Sequence, residues 1–187
     1  MHVRLSTCLG MALVVAETQE RLGTLQSLLI HPDTGSIEGI RFPMGGMSRR
    51  EYCVSSLDIV HWGLRIDVRS ADAAGPLEEY VRFQDILREG RTVLGQRILT
   101  DGGRNLGLCA DVQFDTEHFQ VEWLFPRRWF RWGRPIPIAT ILEVRPDAIV
   151  VRETEVLEKE PLLRRGILKA EVPVVQPTRS LRENSFR

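Results

Sequence analysis

Lysine is nearly missing from this chain: of the 25 basic residues, all but Lys159 and Lys169 are arginine. Cysteine is scarce as well. Cys8, Cys53 and Cys109 form no Cys-x-x-Cys pair and have no histidine partner at metal-ligand spacing. That pattern excludes the usual zinc frameworks, and an odd, scattered set fits a reducing compartment better than a disulfide scaffold. Net charge is lacking too. With 25 basic and 25 acidic side chains, no global field draws the molecule toward nucleic acid or membrane. No apolar run approaches the 18 residues of a spanning helix, and the stretch from Leu9 to Ala16 is too broken for a secretory leader. The expectation from these absences is a soluble, cytoplasmic protein.

What is present is a duplication. Thr7-Cys8-Leu9-Gly10 followed by Leu22-Gly23 reappears as Thr92-Val93-Leu94-Gly95 followed by Leu106-Gly107, a period of about 85 residues. That is too long for a solenoid repeat and right for a small domain used twice. After each second Leu-Gly come an apolar run, a turn, another apolar run, a polar loop and a short closing strand, Leu64 to Arg69 or Ala148 to Arg152. A single unit of this size is marginal alone, and two units packed together would share a core and ease that shortage.

Strand signals dominate. Ala110, Val112 and Phe114 alternate with Cys109, Asp111 and Gln113, and Phe119, Val121, Trp123 and Phe125 alternate with Gln120 and Glu122. The matching first-copy stretch carries Leu25 and Leu29 where the second has Cys109 and Gln113, a surplus that predicts a cover over its outer face, from the twin copy or from a helix. Pro32-Asp33-Thr34-Gly35 and Asp101-Gly102-Gly103 read as turns. One helix is expected between the copies, with Pro76 in its first turn, Glu78 and Glu79 at its positive end and Gly90 closing it. Leu77, Tyr80, Val81 and Leu87 define its apolar face, broadened by Phe83 and Ile86. The expected organisation is a first unit at 1–70, a linker with helix at 71–87, a second unit at 88–155 and a carboxy-terminal arm at 156–187. The arm includes a basic-apolar run, Pro161 to Lys169, read as an extra strand or docking arm.

The ordered set Leu9-Gly10, Leu22-Gly23, Leu28 to Ile30, Ile37 to Phe42, Leu57 to Val60 and Leu64 to Val68 resembles the PRC-barrel family, named for the photosynthetic reaction centre H subunit. It recurs as Leu94-Gly95, Leu106-Gly107, Val112 to Phe114, Phe119 to Phe125, Ile141 to Val144 and Ile149 to Val151. The resemblance covers roughly residues 3–69 and 88–152. It implies an all-β protein of two tandem small antiparallel barrels packed as a pseudo-dimer. It also implies a docking or adaptor role on a larger protein assembly, as in the reaction-centre subunit and a ribosome-maturation factor. The chain lacks the amino-terminal membrane helix of the former, and a second barrel stands where the latter has a different first domain.

The sharpest local feature is Pro126 to Pro135, in which Arg127, Arg128, Arg131 and Arg134 interleave with Trp129, Phe130 and Trp132. Such a segment stacks bases and neutralises phosphates, lies at a lipid headgroup interface, or supplies the Trp and Arg anchors of a protein interface. Alternatively, its aromatics cover the barrel rim beneath arginine stems. A protein partner is the preferred reading; an RNA- or ribosome-associated factor and a membrane-peripheral photosynthetic or envelope component are the alternatives. The corresponding first-copy loop, with Met44, Met47, Arg49 and Arg50, is a secondary candidate. No catalytic constellation, metal site or cofactor motif is read. His31 and His118 are taken as turn polarity, and Asp111 and Asp115 as a solvated strand edge and a turn. The oligomeric state is left open.

Overall fold

The same order of strand pairings occurs twice along the chain. The computed structural model describes residues 1–44 and 50–153. Its strands are β1 (His2–Arg4), β2 (Ala12–Val15), β3 (Arg21–Thr24), β4 (Ser27–Ile30), β5 (Ile37–Met44), β6 (Arg50–Ser55), β7 (Ile59–Trp62) and β8 (Ile66–Val68). They continue with β9 (Ala74–Pro76), β10 (Arg97–Thr100), β11 (Asn105–Asp115), β12 (Gln120–Arg128), β13 (Arg131–Trp132), β14 (Ile136–Pro137), β15 (Ile141–Val144) and β16 (Ala148–Val151). In the first half β2 pairs antiparallel with β3 and parallel with β8, which pairs antiparallel with β7. In the second, β10 pairs antiparallel with β11 and parallel with β16, which pairs antiparallel with β15. A 3-10 turn precedes the last two strands each time, at Ser56–Asp58 and Ile138–Thr140.

The protein is mostly strand, with two short helices, α1 (Leu5–Cys8) and α2 (Val81–Arg88). The strands form one eight-stranded and two four-stranded sheets, and no closed barrel is found among the described residues. One core runs through both halves: Leu13, Ile40, Phe42, Val54 and Ile66 belong to the same buried cluster as Val112, Phe114, Leu124 and Ile149. Trp62 meets Phe114 edge-on at 5.3 Å. Backbone bonds cross the same junction, Ile37 N–H donating to Phe119 O at 2.7 Å and Val121 N–H to Gly35 O at 3.0 Å. The amino-terminal strand goes further still. β1 pairs antiparallel with β11 and so completes a sheet of the second half.

Helix α2 covers the outer face of the sheet β4-β5-β6-β9. Alternation along β4 sends Leu28 and Ile30 into the main core and Leu29 to the opposite side. There Leu29 joins Cys53, Leu77 and Phe83 in a second buried cluster, with Tyr80 stacked on Phe83 at 5.2 Å. The leucine surplus at position 29 therefore has its cover, and the cover is the helix. Leu25 lies in the main core instead. Gly39 makes the contact possible, because a Cβ there would stand 2.9 Å from Phe83 Cζ and 2.5 Å from the Val54 carbonyl.

Three local expectations change. The helix starts later than the composition predicts, since a 3-10 turn at Leu77–Glu79 takes up its first residues. That shifts the helical phase, leaving Val81 and Leu87 exposed while Leu77 and Phe83 are buried. The stretch read as linker ends in β9, hydrogen-bonded to β6 from Val54 to Tyr52. Finally, the alternation along β11 and β12 is broken by register shifts between Cys109 and Asp111 and between Gln113 and Phe114. Each shift turns the following residues to the other face. Cys109, Val112, Val121 and Leu124 are buried, whereas Phe125 faces outward over the sheet.

Candidate interaction hairpin

The arginine-aromatic segment forms a short hairpin at the far end of β12, two residue pairs long. β12 runs on past the end of its core packing, then reverses through Trp129-Phe130 into β13, with Arg128 opposite Arg131 and Arg127 opposite Trp132. The chain next folds back along the same edge of β12: Gly133 N–H donates to Pro126 O at 2.8 Å, and β14 pairs with Leu124 and Trp123. Every residue from 127 to 135 is exposed. Trp129 is 85% and Phe130 96% accessible, so the tip rings stand in solvent and do not cover a rim. Trp129 also holds φ +56°, a left-handed backbone that costs an L-residue about 1 kcal/mol and usually falls to glycine in two-residue turns.

The base of the hairpin is braced from a distant part of the sequence. Arg4, at the end of β1, lays its guanidinium over the Phe125 ring at 4.0 Å and over Trp132 at 5.2 Å. Arg127 lies over the same Trp132 ring at 5.6 Å. Asp111 fixes Arg4, accepting from Nε at 2.9 Å and Nη2 at 2.7 Å. The carboxylate is 1% accessible. It also accepts from Ser6 N–H at 3.0 Å, Ser6 O–H at 2.6 Å and Val112 N–H at 2.9 Å. Asp111 is thus a buried acceptor and not a solvated edge; the bulge between Cys109 and Asp111 turns it under α1.

On the other side, Arg127, Arg128 and Trp129 line a shallow groove of about 380 Å3 with Arg97, Asn105 and Leu108. Gly107 sits at its floor with φ +118°, where a Cβ would meet the Arg127 carbonyl at 2.6 Å. Within the described residues, no carboxylate is paired with Arg97, Arg127, Arg128 or Arg131. No Asp or Glu occurs between Glu122 and Glu143, so the hairpin arginines have no acidic neighbour in sequence either.

Of the secondary loop, Met44 and Arg50 are described and close the β5–β6 hairpin as an opposed pair. Met47 and Arg49 lie outside the described residues, as does the expected docking arm at 161–169. The three thiols are buried, and burial pushes Cys53 and Cys109 up to about 12. His118 is exposed and hydrogen-bonded through Nδ1 to Asp115 at 2.6 Å, which raises its pKa. No group of three or more His, Cys, Asp or Glu placed to hold a metal occurs among the described residues. No helix among them is long and apolar enough to cross a membrane.

Arg4, Asp111, Phe125, Arg97 and Leu108 did not stand out in the sequence as parts of this site. Arg4 and Asp111 are 107 positions apart, and only the β1–β11 pairing brings them together. No family model matches the chain, and comparison with curated proteins finds no match either.

Proposed function

We propose that this protein is a non-enzymatic docking module, built as a tandem pair of PRC-type units, that attaches to a larger assembly through the hairpin at residues 126–135. The observation that carries this reading is the presentation of Trp129, Phe130 and Trp132 in solvent on a hairpin anchored by the Arg4–Asp111 pair. Large exposed aromatics beside arginines are the composition of interface anchors. A rigid support lowers the entropy lost when such anchors bind. The tandem PRC-type reading is supported by the twice-occurring order of antiparallel hairpin, parallel strand and 3-10 turn. Divergence of one loop on a repeated scaffold fits a scaffold role for the shared positions and a binding role for the hairpin.

The test is in-cell crosslinking of the full chain in its native host, wild type against R128A/W129A/W132A. Loss of the crosslinked assembly in a variant that melts like wild type is the expected outcome. An unchanged crosslink pattern refutes the hairpin as the docking surface.

A further inference from the structure

We infer that the tip of the 126–135 hairpin inserts into the headgroup layer of an anionic lipid membrane. This rests on the reading of the hairpin as the contact surface and names what it touches. The argument begins with the order of residues from the apex inward. Trp129 and Phe130 form the apex; beneath them lies the directly opposed pair Arg128 and Arg131, and beneath that Arg127 opposite Trp132. An apolar tip, then cations, then an amphipathic ring is the sequence of chemistries met on crossing from the acyl boundary through the phosphates to water. Phe130 has no polar atom to offer a partner, and its exposure is nearly complete.

The charges point the same way. Two arginines directly opposite each other in an antiparallel pair repel unless an anion lies between or beside them. No described carboxylate supplies that anion here, although elsewhere in the molecule Arg4, Arg41, Arg65, Arg91 and Arg145 each have an acidic partner. The open groove between Arg97, Arg127 and Arg128 leaves room for a phosphate beside the pair. The chain as a whole is neutral, so the attraction at this projection comes from its own arginines and not from a net charge of the molecule. Shape separates lipid from RNA. Base stacking on a nucleic-acid binder uses rings set in a row along a concave basic track; here Trp129 alone borders the basic groove, and Phe130, at the apex of the turn, lies outside its lining.

The full-length chain is tested by flotation with phosphatidylcholine vesicles, with and without phosphatidylglycerol as about a third of the lipid, alongside tryptophan emission. The expected result is flotation with the anionic vesicles only, weakened by salt and accompanied by a blue shift. W129A/F130A removes the shift, and R128A/R131A lowers the partition coefficient roughly fivefold per arginine. All four side chains are exposed, so these variants keep the wild-type melting profile, which is measured in parallel. Absence of flotation, equal flotation with neutral vesicles, or flotation unaffected by both variants overturns the inference. So does hairpin-dependent binding to single-stranded RNA without vesicle binding. If vesicles fail to bind but the in-cell crosslink still depends on the hairpin, the docking reading stands and the lipid inference alone falls. If vesicle binding is hairpin-dependent and the crosslink is not, the hairpin remains the contact surface with lipid as what it touches, and its attachment to a larger assembly alone falls.

Discussion

Replacing Asp111 by alanine is expected to destabilise the protein by about 3 kcal/mol, and the arrangement of its partners says why. Removal of the carboxylate strands the buried backbone N–H of Val112, which costs about 1–3 kcal/mol without a partner. Ser6, which is exposed, loses two charge-assisted bonds from its N–H and hydroxyl and regains water in part. Arg4 adds less than a fully buried cation would, because it is 35% accessible and recovers water when released. Replacing Arg4 by alanine instead leaves Asp111 with three local donors and is expected to cost only about 1 kcal/mol. With a urea slope of about 2 kcal/mol per molar, D111A lowers the midpoint by roughly 1.5 M and R4A by about 0.5 M. Urea titration followed by tryptophan fluorescence reads both, and the R4A/D111A double variant should be no worse than D111A. Equal costs for the two single variants, or a D111A midpoint within error of wild type, refute the account of Asp111 as the hub of the brace.

Two further predictions follow from packing and titration. Phe83→Ala removes the centre of the cluster under α2 and is expected to cost about 3–5 kcal/mol in chemical denaturation, whereas Val81→Ala, on the exposed side of the same helix, stays within about 0.5 kcal/mol. The His118–Asp115 pair titrates at both ends: Asp115 raises the histidine above its ordinary value of about 6.5, and the carboxylate is held below its own first by the Glu117 backbone N–H and then by His118 and the amino terminus. The histidine's share of stability is complete below pH ~6.5 and fades as pH rises through the folded value; the carboxylate's is complete above pH ~4 and fades on acidification. An NMR titration of D115N should bring the His118 midpoint back toward 6.5, and an unchanged midpoint contradicts the assignment.

Much of the all-β architecture was legible because period-2 alternation and turn chemistry are local signals. The leucine at position 29 is an instructive case, since an apolar residue on a face that should be polar announced a cover before the helix was placed. What resisted reading depended on single-residue insertions into the ladder. A bulge carries no residue signature of its own in this sequence, yet the two along the β11–β12 pair reverse the faces of Asp111 and Phe125. The hairpin's aromatic-arginine composition was visible at once; its exposure and its brace were not. Nothing near Asp111 in sequence names Arg4, because the link between them is a pairing of the amino-terminal strand with one in the second half of the chain.

That pairing also sets an order of events during synthesis. Residues 2 to 4 leave the ribosome long before residues 113 to 115, the partners they need for β1. Until then the first strand has no ladder to join, and its closure spans most of the described chain, a contact of the kind that slows folding. Arg4 reaches Phe125 and Trp132 only once that closure is made. The brace behind the hairpin is therefore a late-forming contact, and a nascent or truncated chain ending before residue 111 has no acceptor for Arg4. In that sense the first few residues report whether the second half has been made.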